Sequence, residues 1–228
     1  MSSRGKIVAI MQPYFLPFAG YFRLFAAADE VVLADTVQFP RRGFVHRNRF
    51  LTQAGRLDWL SLPIVPCPLD ATIKDLAFPA GAAEIMNRRT RPFEMFRRDG
   101  VADGPLKVDI LMLDGSPLEV IIRLLRACCA ALDLPFIDLR ASQLDIPPGL
   151  TGRDRLFAIA RARGATTYVN TPGGRSLYDT EAFTARGLEL RFLPDYQGPL
   201  DSIGQRLHDT RPDILRAEIL GQCELEAG

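Results

Sequence analysis

KIVAIMQPYFLPFAGYFRLFAAADEVVLA, residues 6–34, decides the fold class. Lys6–Met11 is a compact apolar run that reads as a buried strand. Pro13 and Pro17 forbid a helix interior in the residues that follow, so Gln12–Gly20 is a loop. Tyr21–Ala28 puts Phe22, Phe25 and Ala26 on one face and reads as a short helix, and Glu30–Ala34 is a second, valine-rich strand. Strand, loop, helix and strand within about 30 residues is the size of a βαβ unit.

Further along, Pro117–Leu132 is the clearest helix. Ser116 is its N-cap, Pro117 takes the first helical position, and Glu119 completes a capping box. Leu118, Ile121, Ile122, Leu125, Cys128, Cys129 and Leu132 form its apolar stripe. Pro135–Leu139 then reads as a strand. Thr151 and Asp154 form a second capping box for a helix closed by Gly164. Thr167–Asn170 is a strand, Thr171–Arg175 a tight loop, Asp179 the cap of a short helix ending near Gly187, and Leu188–Leu193 a last strand. Asp213–Leu220 reads as a terminal helix. The middle is less regular. Asp58–Val65 is an edge strand by virtue of Pro63, and Ala82–Arg98 is helical in two pieces broken by Pro92. The alternation predicts an α/β fold, a mostly parallel Rossmann-like sheet with helices on both faces. Residues 1–228 form a single domain in this reading, with 40–115 as an irregular subdomain or insertion.

The composition agrees. The 228 residues are 47% apolar and 24% charged, with a formal net charge of +1, which excludes disorder and a broad nucleic-acid footprint. The basic residues are almost all arginine, the lysines being Lys6, Lys74 and Lys107. Cys67, Cys128, Cys129 and Cys223 show no C-x-x-C spacing, so they read as inert thiols in a reducing compartment. The first apolar run is too short to span a membrane, and no signal peptide precedes it, so the expected location is the cytoplasm.

In open parallel sheets, ligands sit beyond the carboxyl ends of the strands. Three segments fall there. Gln12–Tyr21 is stiffened by prolines, and it is either a braced turn whose aromatics are core or a clamp in which Gln12, Tyr14 and Tyr21 offer hydrogen bonds to a flat or sugar-like ligand. Gly20 would let an anion approach the helix that follows. Asp35–Arg49 brings an acid at the end of strand two and an Arg41, Arg42, Arg47, Arg49 cluster interleaved with Phe39, Phe44 and His46. It reads as a solvated charged hairpin first, with a phosphate-gripping segment or a local RNA contact as the other readings. Asn170–Arg175 (NTPGGR) has two glycines that permit positive φ, so its amides can cradle an anion, or it is a plain turn. There is no G-x-G-x-x-G, Walker or G-x-S-x-G motif, and two histidines do not make a metal site.

The stretch IMQPYFLPFAGYFRLFAAADEVVLADTVQFPRRGFVHRNRF resembles the opening of the WbqC-like family, with its Q-P-Y-F-x-P-x-x-G-Y-F-x-L motif. GRDRLFAIARARGATTYVNTPGGRSLYDTEAFTARGLELRFL resembles a second family block, so the resemblance covers Lys6–Phe50 and Thr151–Leu193. The matching positions are Gln12, Pro13, Tyr14, Phe15, Pro17, Gly20, Tyr21, Asp35, Gln38, Arg42, Gly43, Arg47, Asn48, Asp154, Arg155, Asn170, Gly173, Gly174 and Tyr178. Thr36 and His46 stand where members often carry Asp and Asn, so His46 is not an essential base. Asp201–Leu207 (DSIGQRL) resembles an altered Ser-Ile-Ile-Asp element. The resemblance implies a transferase of surface-polysaccharide (O-antigen) or natural-product biosynthesis, acylating or aminoacylating an amino sugar.

The catalytic expectation is Asp35 as base, Arg47 for anion stabilisation and Tyr21 to orient the acceptor. Gln12, Pro13, Tyr14, Gln38, Arg42, His46, Asn48, Asn170, Gly173 and Gly174 are expected to bind ligand, with no metal site and no cofactor singled out. The expected partner is an activated donor, whether nucleotide sugar, nucleotide or acyl thioester, with an acyl carrier protein as a macromolecular partner and nucleic acid disfavoured. Two other functions fit the residues. One is an adenylyl-type nucleotide-binding transferase whose phosphate loop has lost its histidines. The other is a non-catalytic ligand- or carrier-binding module.

Overall fold

The computed structural model describes residues 5–96 and 105–228. Strand β1 (Ile7–Met11) leads into the proline-braced loop, a 3₁₀ turn (Ala19–Phe22), helix α1 (Arg23–Ala27) and strand β2 (Glu30–Leu33). The helix expected over Tyr21–Ala28 is therefore split, because Arg23 buries its guanidinium instead of exposing it. Its Nε donates to the Gly20 carbonyl and its Nη1 to the carbonyls of Pro194 and Gln222. A hairpin follows, β3 (Arg47–Leu51) and β4 (Leu57–Ser61), then α2 (Ala82–Thr90), α3 (Pro105–Met112) and α4 (Pro117–Ala131). Next come α5 (Gly152–Ala162), β5 (Thr167–Asn170), α6 (Thr180–Thr184) and β6 (Glu189–Phe192). The chain ends with α7 (Ile203–Asp209), α8 (Pro212–Leu220) and the short β7 (Glu226–Ala227).

The main sheet runs β2-β1-β5-β6-β7. The first four strands are parallel and β7 is antiparallel to β6. Alternate side chains serve opposite faces, as a pleat requires. Ala9, Leu33 and Val169 join Phe22, Phe25 and the apolar stripe of α4 in the larger core. Val8 and Val32 pack on Ile159 of α5, while Tyr168 and Leu190 pack on Leu156 and Phe183. Helices thus cover both faces. The middle segment shares the larger core through Phe50, Leu60, Ile73 and Met86.

The Ser116–Glu119 capping box forms as expected, and both cysteines of α4 lie on its buried face. Burial pushes the Cys128 thiol well above its ordinary value and that of Cys129 up to about 12, so neither is a thiolate near neutrality.

Two local expectations fail. Pro135–Leu139 joins no ladder. Pro135 lacks an N–H, and Leu139 N–H curls back to the Ile137 carbonyl, leaving only the bond from Leu33 N–H to Leu139 O. Thr151 makes no side-chain cap, because Gly152 turns left-handed (φ 49°) and rotates the first peptides of α5 out of its reach. The second part of the Ala82–Arg98 prediction shrinks to a 3₁₀ turn over Glu94–Phe96, and its last residues lie outside the described ones.

Candidate functional site

From β1 the chain crosses to β2 on one side, whereas β5 pairs on the other, so the crevice beyond β1 and β5 is the sheet's switch point. A cavity of about 330 Å³ lies there, large enough for a small metabolite. Its polar walls come from Gln12 and Tyr14 after β1, Asn170 and Thr171 at the end of β5, Tyr168, Tyr178 and Arg155. Gly152, Arg155, Leu156 and Ile159 line it at helical spacing, so one face of α5 forms a wall from its first residue onward. A wider groove of about 910 Å³ along the outside of α5 lies by Gly164, Ala165 and Leu188, at the amino ends of β5 and β6, where parallel sheets do not build ligand sites.

The loop that carries Gln12 and Tyr14 is held from three directions. Leu16 has φ 44°, a strained conformation for a branched side chain. Its carbonyl accepts from Asn48 Nδ2 at 2.6 Å and from Ser202 Oγ at 3.0 Å. Ser202 also caps α7, which gives the DSIGQRL stretch a structural purpose. The Tyr21 hydroxyl, pushed well above its ordinary pKa by burial, donates to the Gln12 carbonyl at 2.8 Å. Burial raises the Tyr14 phenol too, so both stay protonated.

Across the cavity, Asn170 is 92% removed from solvent, being 8% exposed. Its Oδ1 accepts from Thr171 N–H at 2.8 Å, and its Nδ2 has no protein partner among the described residues. A Cβ on Gly174 would stand 2.3 Å from that Nδ2, so glycine is needed for close approach. This corrects the expected role of the glycine pair. Neither Gly173 nor Gly174 takes a positive φ, since both lie in a 3₁₀ turn over Pro172–Leu177. Gly20 is likewise reserved for packing. A Cβ there would meet Phe18 at 2.3 Å and Tyr196 at 2.6 Å.

The structure thus brings together Gln12, Tyr14, Asn170, Gly173 and Gly174 from the sequence-derived set. Pro13 is buried in the loop between the two lining residues. Asp35 lies behind the wall, 1% exposed, accepting from Ser142 N–H at 2.9 Å and Ser142 Oγ at 2.5 Å. Tyr21 and Asn48 brace the loop from inside. Gln38 lies apart and bonds the Leu69 carbonyl.

Arg42 and Arg47 do not line the cavity. β3 alternates so that Asn48 and Phe50 face inward and Arg47 and Arg49 outward. Arg47 stacks 4.4 Å over Trp59 and donates to the Arg42 carbonyl. From Trp59, rings run through Phe44 to Tyr14 at centroid spacings of 5.7 and 6.1 Å. His46 packs edge-on against Phe39, and burial with the nearby Arg47 and Arg89 charges lowers its pKa to about 4.

The cation that reaches the cavity is Arg155. Its Nε donates to the Leu150 carbonyl and its Nη1 to the Thr36 carbonyl, and it separates the cavity from a second one of about 220 Å³. The G-x-D-R run pointed to it, but only tertiary packing shows where it faces. Among the described lining residues there is no Asp, Glu, His, Cys, Lys or Ser. No group of three or more His, Cys, Asp or Glu suited to a metal occurs among the described residues.

Fold and site define an α/β protein with a cleft at the switch point of a mostly parallel sheet. The pattern of the WbqC-like protein family matches residues 12–95 and 110–199, and the chain belongs to that family. Over 202 residues it is 27% identical to the uncharacterized protein Rv1507c of Mycobacterium tuberculosis, covering 86% of this chain and 85% of that protein. No solved structure matches the chain. No helix among the described residues is long and apolar enough to cross a membrane.

Proposed function

We propose that the cleft binds an activated acyl or aminoacyl donor and passes its group directly to the amine of an amino sugar. The observation that carries this reading is the character of the described lining: amides, phenols, the Thr171 hydroxyl and one guanidinium, with no carboxylate, imidazole or thiol among them. Acyl transfer to a hydroxyl calls for a base to take its proton. A neutral amine brings its own lone pair. The new C–N bond forms, the bond to the leaving thiolate or phosphate breaks, and the proton departs with the leaving group or to water. What the protein must supply is orientation and hydrogen bonds to the carbonyl oxygen as it gains charge. Asn170 Nδ2 and the Gln12 amide are suited to that task, Arg155 adds positive charge, and Tyr14 and Tyr178 flank the acceptor. Asp35, Tyr21 and Asn48 act as positioning residues. The family's name fits a step in polysaccharide biosynthesis, and a cytoplasmic setting agrees with four free cysteines. Acyl thioesters, free or on a carrier protein, are the donors to try first.

The test is product formation, read by mass spectrometry, from acyl thioesters and amino sugars. Replacing Asn170 by Asp should lower turnover by about 10²- to 10³-fold, the usual cost of an oxyanion donor, at an unchanged melting temperature. Full turnover in Asn170→Asp and Gln12→Glu would refute the reading. A described lining without carboxylate, imidazole or thiol also fits a non-catalytic binding module, which predicts saturable ligand binding and no product with any donor.

A further inference from the structure

One face of the cleft has more than this chemistry requires. Helix α5 is eleven residues long, and its first turn has no side-chain cap. The N–H groups of Gly152, Arg153 and Asp154 find no protein acceptor among the described residues, since the first bond into the helix runs from Arg155 N–H to Thr151 O. Free amides at the positive end of a helix dipole favour an anion. Gly152 faces the cavity, and a Cβ built on it meets nothing within 4 Å, so a ligand can come up against the backbone there. The second observation is independent of the helix. Asn170, 8% exposed, lines the same cavity with an Nδ2 that no protein group satisfies. The side chain is nine-tenths buried, and this amide opens to the cavity rather than to a protein acceptor, so it is a donor available to a ligand there. Arg155, the one charged group in the described lining, is pinned by two main-chain carbonyls, so its charge is oriented in advance. Asp154, the acid of this first turn, is exposed and does not line the cavity.

We propose that the open first turn of α5, Arg155 and Asn170 together form a seat for a phosphoryl group carried by the donor or the acceptor. The proposal rests on the cleft being the transfer site and names the chemistry of its ligand: a phosphate ester or diphosphate close to the reacting group, as in a nucleotide-linked amino sugar. The seat holds the phosphoryl group by hydrogen bonds and breaks no bond to phosphorus.

The probe is inorganic pyrophosphate, titrated calorimetrically into the full chain without divalent cations. Binding should weaken with salt. It should fall about 10- to 100-fold in Asn170→Asp, which keeps the bond from Thr171 N–H but replaces the donor with a negative oxygen. Arg155→Lys, which keeps the charge and loses the fork, should also weaken it. Absence of pyrophosphate binding, or equal binding by wild type and both variants, overturns the seat. Competition by a nucleoside diphosphate and by a sugar 1-phosphate then tells which carrier of the group fits. The two proposals fail separately. Turnover of phosphate-free substrates that pyrophosphate does not inhibit would keep the transfer reading and remove the seat. Pyrophosphate binding that Asn170→Asp abolishes, with no transfer from any donor, would keep the seat and remove the transfer.

Discussion

Asp35 is the sharpest place to separate chemistry from architecture. As the first acid after a buried strand it looks like a base, yet both its oxygens are engaged by Ser142, which ties the Ala141–Gln143 turn to the end of β2. Asp35→Ala removes two hydrogen bonds to a buried side chain, and Ser142, itself exposed, turns its donors to water. At about 1.5–3 kcal/mol per bond two bonds give roughly 3–6 kcal/mol, and the low end, about 3 kcal/mol, applies because Ser142 regains water. For a chain of this length each kcal/mol lowers the melting temperature by about 2–4 °C, so a fall of roughly 10 °C is expected. Ser142→Ala should cost about half as much, and a double-mutant cycle should give a coupling of about 1.5–3 kcal/mol. Asp35→Asn keeps an acceptor for Ser142 N–H, and the hydroxyl can turn to accept, so about 1–2 kcal/mol should go. Calorimetric melting of the four proteins, with turnover beside it, decides the matter. An Asp35→Ala melting temperature equal to wild type would refute the bracing argument. A fully stable Asp35→Asn with turnover down by about 10²-fold or more would make the group a base.

Gly174→Ala should push Asn170 aside, because its Cβ would stand 2.3 Å from Nδ2, whereas Gly173→Ala meets nothing within 4 Å. Ligand affinity should collapse in the first and survive in the second, as read by calorimetric titration. Asn48→Ala removes the bonds to the Phe15 and Leu16 carbonyls and should cost about 2–3 kcal/mol in denaturant unfolding, with a loop that hydrogen exchange finds less protected. His46 carries a pKa of about 4 in the fold against 6.5 ordinarily. The unfolded chain takes up its proton first, so stability present above about pH 6.5 is lost as pH falls through 4, by about 1–2 kcal/mol once solvent screening is allowed for. His46→Asn should flatten that slope in urea unfolding at pH 4.5 and 7, and an unchanged slope would count against the cause given.

The periodic parts of the chain were legible in advance because their signals are local. The βαβ opening, the capped helix α4 and the strand pair around Asn170 each follow from spacing, proline position and capping chemistry within a few residues. So did the loops at the carboxyl edge, since parallel pairing sets Ala9 beside Val169 and makes both strands end at the same edge of the sheet. What sequence reading did not reach depends on direction rather than on residue type. One step of register on β3 turns Asn48 inward and Arg47 outward, and only packing sets that step. Arg155 and Arg47 are the same side chain in similarly basic surroundings. One faces the cleft because α5 packs on the sheet with that side inward, and the other stacks on Trp59. Chain order alone determined which segments lie at the carboxyl edge, while tertiary packing decided which of their side chains face the cleft, since a side chain's outlook is settled by the partners that folding brings to it, as distant in sequence as Thr36 is from Arg155.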